Sequence, residues 1–191
     1  MPSKRSTQVY IALLRGINVG RAKRIAMADL RKLIEAQGGS NVRTLLNSGN
    51  AVFSARAGKA SALSRRIEAA IEKSVGFTAA TIVITSKELD GIIEANPLAK
   101  IATEPPRHLV TFLAQAEQRE KARPLLSESW KPEHLAIGEN AIYLWCANGI
   151  LESRLLQSFG RVMGTHGTSR NWATVTKIQA LAKEVAAQSQ G

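Results

Sequence analysis

The sequence predicts an α+β protein of two similar halves, and three observations carry that prediction. Apolar strand-type runs and helix-type periodicities follow one another as strand, helix, strand, strand, helix, strand. The same order then occurs a second time, after a stretch holding Pro97, Pro105 and Pro106. The strand runs VYIALL, TIVIT, LVTFL and IYLWC lack clean polar–apolar alternation, as strands buried on both faces do. Each half therefore reads βαββαβ followed by an extra helix, which is the split-βαβ, ferredoxin-like unit. Helices cover only one face of such a sheet, so the two tandem halves are expected to be packed on each other.

In the first half, Gln8–Arg15 is a strand, and a loop holding Gly16 and Gly20 follows it. Met27, Leu30, Leu33 and Ile34 then share one face of a helix that Gly38 and Gly39 stop. Val42–Leu46 and Ala51–Ser54 are strands around Asn47-Ser48-Gly49-Asn50, a strong turn signal. Leu63, Ile67, Ile71 and Val75 recur by four along a helix ended by Gly76. TIVIT (Thr81–Thr85) is the fourth strand, and Thr85 with Glu88 forms a capping box for a short helix ending before Pro97.

The second half repeats the plan. His108–Ala114 is a strand, and Glu117–Ser127 a weak helix, broken or bent at Pro124. Leu135–Ile137 and Ala141–Cys146 flank a Gly138-Glu139-Asn140 turn. Leu151–Met163 is a helix with Leu151, Leu155, Phe159 and Val162 inward, stopped by Gly164. Thr168–Arg170 is a short last strand, and Asn171 caps a helix carrying Val175, Ile178, Leu181 and Val185. The organisation expected is a disordered basic tail (1–7), a first half (8–97), a linker (98–106) and a second half (107–191).

Lysine and arginine number 26 against 15 aspartates and glutamates, a net charge of +11 with a pI near 10.3. That balance favours anionic partners, a small molecule or nucleic acid. It also suits a merely solvated basic surface. The single cysteine, Cys146, excludes an intramolecular disulfide framework and fits a reducing, cytoplasmic compartment. No apolar run approaches the ~20 residues that span a bilayer, so no membrane role is expected. His108, His134 and His166 lack metal-ligand spacing, and no cofactor is implied. Ser48 lacks a nucleophile-elbow motif and an evident base. Cys146 reads as buried and inert, and His166, in Gly164-Thr165-His166-Gly167, as an exposed loop histidine or a general acid–base. No catalytic constellation emerges, and whether the protein is an enzyme stays open.

The repeated plan points to a location instead. In a βαββαβ unit the end of strand one, the turn between strands two and three, and the start of strand four share one sheet edge. In the first half that edge gathers Arg15–Arg24, Asn47–Asn50 and Gly76–Thr78. The loop RGINVGRAKR carries Arg15, Arg21, Lys23 and Arg24 around Gly16 and Gly20, while its counterpart near Gln115 is short. A long loop at one place in a repeated scaffold marks a functional region. Glycines let backbone N–H groups converge on an anion and arginines add charge-assisted hydrogen bonds. The spacing matches neither the P-loop nor the dinucleotide fingerprint, so a solvated basic loop is the competing reading.

LLRGINVG (13–20), M-x-x-L (27–30), NSGNAVF (47–53) and SRNWATVTKI (169–178) together resemble an uncharacterised bacterial family, a domain of unknown function with an LRGINVGG start, an SGN hairpin and a late RNW-x-T-x-x-K segment. The resemblance covers nearly the whole chain and implies a pair of ferredoxin-like subdomains, with no established activity. The matching positions are Arg15, Gly16, Asn18, Gly20, Ser48, Gly49, Asn50, Arg170, Asn171, Trp172, Thr174 and Lys177. Arg21 stands where the family often has a second glycine, and Asn47 where it often has glutamine. The expected function is binding of an anionic ligand, nucleotide-like or nucleic acid, by the 15–24 loop beside the 47–50 hairpin. Two other readings compete with it. One is an enzyme acting on a small phosphorylated or carboxylated substrate between the halves, with Arg170 and Lys177 holding its anion. The other is a structural or partner-binding protein, as a monomer or dimer.

Overall fold

The computed structural model describes residues 6–20 and 22–189. The chain divides into two compact units, Met1–Leu89 with Ile178–Gly191, and Asp90–Lys177. The basic residues predicted for the tail fall outside the described residues up to Arg5, and Thr7 already belongs to the first strand.

Unit 1 contains β1 (Thr7–Leu14), α1 (Met27–Ala36), β2 (Ser40–Leu45), β3 (Asn50–Arg56), α2 (Ala60–Val75) and β4 (Thr81–Thr85). Its sheet runs β2-β3-β1-β4 with antiparallel neighbours, the order of a ferredoxin-like unit. The apolar run of β1 is explained by its central place. Tyr10, Ala12 and Leu14 point to one face with Phe53 and Val83, against Leu30, Ile34, Leu63, Ile67 and Ile71 of α1 and α2. Ile11, Leu13 and Val52, on the alternate positions, are fully buried too. Each such side chain contributes roughly 1.5–3 kcal/mol by leaving water. Tyr10 stacks on Phe53 at 6.0 Å, and its hydroxyl donates to Gly58 O at 2.9 Å. Gly76, at φ 74°, ends α2 in the left-handed region as its position in the sequence predicts. The Thr85–Glu88 box also forms and starts α3 (Ser86–Glu94): Glu88 N donates to Thr85 Oγ1 at 3.1 Å and Thr85 N to Glu88 Oε2 at 2.7 Å.

Unit 2 contains β5 (His108–Phe112), β6 (His134–Ile137), β7 (Ala141–Trp145), α4 (Arg154–Met163) and β8 (Thr168–Asn171). Its sheet order, β6-β7-β5-β8, repeats that of unit 1. Leu109, Ile142, Leu144 and Cys146 pack with Ala122, Leu125, Leu155, Phe159 and Met163. Tyr143 donates its hydroxyl to Ile92 O at 2.7 Å, and burial pushes its pKa up to about 12.

Two predicted elements change form. Residues Ala116–Ser127 make a 3₁₀ run, opened by a reciprocal Gln115–Gln118 capping box. Pro124 inside it lacks the N–H an α-helix would use, and only Ala122 and Leu125 are buried there. Helix α4 starts at Arg154, not Leu151, because Ser153 caps it, its Oγ accepting from Leu156 N at 2.9 Å. Leu151 is thereby left outside and 90% exposed, and the inward row is Leu155, Phe159 and Met163, with Val162 turned out.

The extra helices do not stay with the sheets they follow. From Asp90 onward α3 belongs to unit 2, where Ile92 meets Tyr143. The last helix, α5 (Trp172–Gln188), belongs from Ile178 onward to unit 1. There Ser189, just past its end, shares a 2.6 Å hydrogen bond with the buried Ser54 of β3. Among the described residues no helix is long and apolar enough to cross a membrane.

Candidate functional site

The register of the unit 1 sheet builds one edge from three segments. Leu13 pairs with Asn50 and Leu14 with Thr81. Beyond the strands, Leu14 N donates to Gly49 O at 2.8 Å and Arg15 N to Ala80 O at 2.9 Å. The end of β1, the β2–β3 turn and the approach to β4 are thus stitched together, as the repeated plan predicts.

Asn18 organises the loop that leaves this edge. At φ 56° it occupies the left-handed region that asparagine tolerates. Its Nδ2 donates to Ile25 O at 3.0 Å and Asn47 O at 2.8 Å, while its Oδ1 accepts from Ile25 N at 2.9 Å. One side chain therefore closes the loop upon itself and ties it to the hairpin. Ile17 anchors the loop from below at 1% exposure, and Lys23 Nζ reaches Thr78 O at 3.2 Å. Arg21 lies outside the described residues.

The hairpin residues turn out to divide between shape and surface. Asn50 is fully buried, its Nδ2 donating to Leu45 O at 2.9 Å and Ser48 Oγ at 3.2 Å, so it shapes the turn. Gly49 sits at φ 83°, and a Cβ there would come within 2.8 Å of Leu14 Cβ and Ile17 Cδ1. Only glycine satisfies both constraints. Ser48 and Asn47 are exposed. Gly16 and Gly20 also have positive φ, with open space around them, so conformation rather than crowding selects glycine.

Between loop and hairpin lies a cleft of about 280 Å³ lined by Asn18, Arg24, Ile25, Ala26, Met27 and Asn47. It opens at the start of α1. Ala26, the N-cap residue, has no side-chain oxygen, and among the described residues no side-chain hydrogen bond caps the helix. Uncapped first-turn N–H groups carry a partial positive charge. Arg24 adds a full charge on the exposed surface. The first carboxylate in the whole sequence is Asp29, in the first turn of α1. In the sequence, Arg24 stands out only as one of the basic residues of the loop. The missing cap was legible in principle, as alanine where serine, threonine, aspartate or asparagine is usual.

Arg170, Asn171, Trp172 and Lys177 belong to unit 2 and are placed there by different means. Arg170 Nη1 donates to Thr168 Oγ1 and Ser169 O, both at 2.8 Å, and burial pushes its pKa down to about 10. Asn171 caps α5, its Oδ1 accepting from Thr174 N at 2.9 Å. Trp172 stacks on His108 at 4.7 Å with 12° between the rings. His108 is buried, and burial pushes its pKa down to about 4. Lys177 is exposed. Cys146 is buried and its thiol pKa raised by that burial. Among the described residues no group of three or more His, Cys, Asp or Glu is placed to hold a metal.

The charge is unevenly divided. Unit 1 holds 16 lysines and arginines against 6 acidic residues, a net of +10. Unit 2 holds 10 against 9, a net of +1. Unit 1, with the Arg24 cleft, carries nearly all the excess.

A family model described as "Protein of unknown function (DUF1697)" matches residues 7–143. The two-half α+β fold is shared with a conserved bacterial protein from Streptococcus pneumoniae, which is 23% identical with a TM-score of 0.76. The match covers 93% of this chain and 99% of that one. No curated protein matches the chain.

Proposed function

The chain belongs to the DUF1697 family of proteins of unknown function, and for this member we propose binding of a phosphate-bearing anion, a nucleotide or a nucleic-acid end, in the cleft between the 15–26 loop and the 47–50 turn. The observation that carries the reading is the convergence of Arg24, Asn47 and the side-chain-uncapped start of α1 on one cleft. Backbone N–H groups and a guanidinium together suit a tetrahedral oxyanion. Asn18 holds that arrangement without facing the ligand's charge. The net charge of unit 1 would draw such a ligand in and make encounter depend on salt. Asp29, in the first turn of α1, opposes an anion, so the attraction rests on Arg24, the first-turn amides and the positive charge of unit 1. The single cysteine and the ligand class suit a cytoplasmic setting.

Calorimetric titration tests this with AMP, adenosine and a short single-stranded oligonucleotide. AMP should bind and adenosine should not. Arg24→Ala should weaken AMP by about tenfold, the loss of one charge-assisted hydrogen bond. Oligonucleotide affinity should fall more steeply with salt than AMP affinity if several phosphates are engaged. Equal binding of adenosine and AMP, or an Arg24→Ala protein that binds AMP as the parent does, would overturn the reading.

A further inference from the structure

Unit 2 contains a second cleft, of about 400 Å³, whose chemistry is opposite to that of the first. Its walls include Leu125, Trp130, Glu133 and Leu135, with Glu128 and Lys131 also lining it. Its ionisable lining is thus two glutamates, one lysine and His134, in a protein whose net charge is +11.

Glu133 is the unusual member. It is 6% exposed, and a glutamate so deeply buried normally has partners for both oxygens. Its Oε2 accepts from Leu155 N at 3.1 Å, at the start of α4. Its Oε1 is buried and has no hydrogen-bond partner among the described residues. An unsatisfied carboxylate oxygen away from water is costly, and a donor bearing positive charge offsets that cost best. Trp130 has committed its indole N–H to Leu125 O at 2.7 Å, so its ring is what it offers a ligand. An aromatic face attracts cations and apolar groups alike.

We propose that this cleft binds a primary ammonium ion carrying an apolar body, the ammonium donating to Glu133 Oε1 and the body packing on Trp130, Leu125 and Leu135. A metal ion suits the donor set poorly, since a single buried carboxylate supplies too few ligands. The site is independent of the anion cleft in unit 1.

Benzylamine is the probe, with benzyl alcohol as its neutral counterpart, read by the indole N–H resonances of the full chain. Benzylamine should shift the Trp130 signal and bind at least tenfold tighter than benzyl alcohol. Glu133→Gln keeps an acceptor for Leu155 N and removes the charge. It should weaken benzylamine at least tenfold and leave benzyl alcohol unchanged. Equal affinity for amine and alcohol would show an apolar groove with a buried water at Oε1, and would overturn the proposal, as would absence of a Trp130 shift. Should the variant not fold, the amine–alcohol comparison on the parent protein decides the matter alone.

Discussion

The two units offer the same edge of the same sheet, and they finish it differently. In unit 1, residues 15–26 separate β1 from α1, and they form a basic loop tied by Asn18 to the hairpin. In unit 2, only residues 113–115 separate β5 from the 3₁₀ run, and the capping box at Gln115 turns the chain at once. There Arg119 donates to Glu139 O and the Gln118 side chain meets His166, so the edge is closed by its own polar groups. Strand order is common to both, so the scaffold does not cause the difference. Loop length, the net charge of +10 against +1 and the uncapped α1 distinguish them. The lesson is that one architecture can end the same edge as an open basic loop or as a tight turn, depending on a dozen residues.

The hairpin glycines break this comparison most forcefully. Gly49→Ala forces a left-handed alanine and a 2.8 Å approach to Leu14 and Ile17, so it should cost about 2–4 kcal/mol. Gly138, which opens the β6–β7 turn of unit 2, lacks the positive φ, but a Cβ would lie 2.9 Å from Tyr143 Cε2. Gly138→Ala should cost about 1–3 kcal/mol, from crowding alone. Urea unfolding of both variants measures the pair, and a Gly49→Ala protein as stable as its parent would refute the account of the unit 1 turn.

Acid should separate the units next. All three histidines lie in unit 2, and His108 is the buried one. Its pKa falls from 6.5 unfolded to about 4 folded, because burial disfavours the charged ring. The unfolded chain therefore binds more protons between those values. Stability is fully retained above pH 6.5 and falls as pH drops towards 4, by on the order of 1–3 kcal/mol. His108→Phe keeps a ring for Trp172 to stack on and removes the proton site. The difference in unfolding free energy between pH 7 and pH 4.5 should shrink in the variant, and an unchanged difference would exclude His108 as the cause.

Much of this was readable from residues alone, and the failures have physical reasons. Both βαββαβ orders, the Thr85–Glu88 box and the Asn171 cap follow from local patterns that tertiary packing left intact. A spacing of four fits 151–155–159 as well as 155–159–163, so the sequence puts Leu151 inside. The Ser153 cap decides between them. The stretch around Pro124 reads as a weak helix broken or bent there, and nothing local to it distinguishes that from a 3₁₀ run. An apolar face on α3 or α5 shows that something is covered, not which sheet it covers. The site follows the same rule. Loop length and basic residues were visible along the chain, whereas Asn18 closing onto Asn47 and Glu133 buried beside Trp130 are contacts made only by folding.

The central claim is that the edge of unit 1 binds an anion and the equivalent edge of unit 2 does not. Backbone amide chemical shifts during titration with AMP test it most directly. Shifts should gather at residues 16–27 and 47–49, with the amides of 113–115 and 138–140 unmoved. Shifts of equal size at both edges, or none at residues 16–27, would contradict the account.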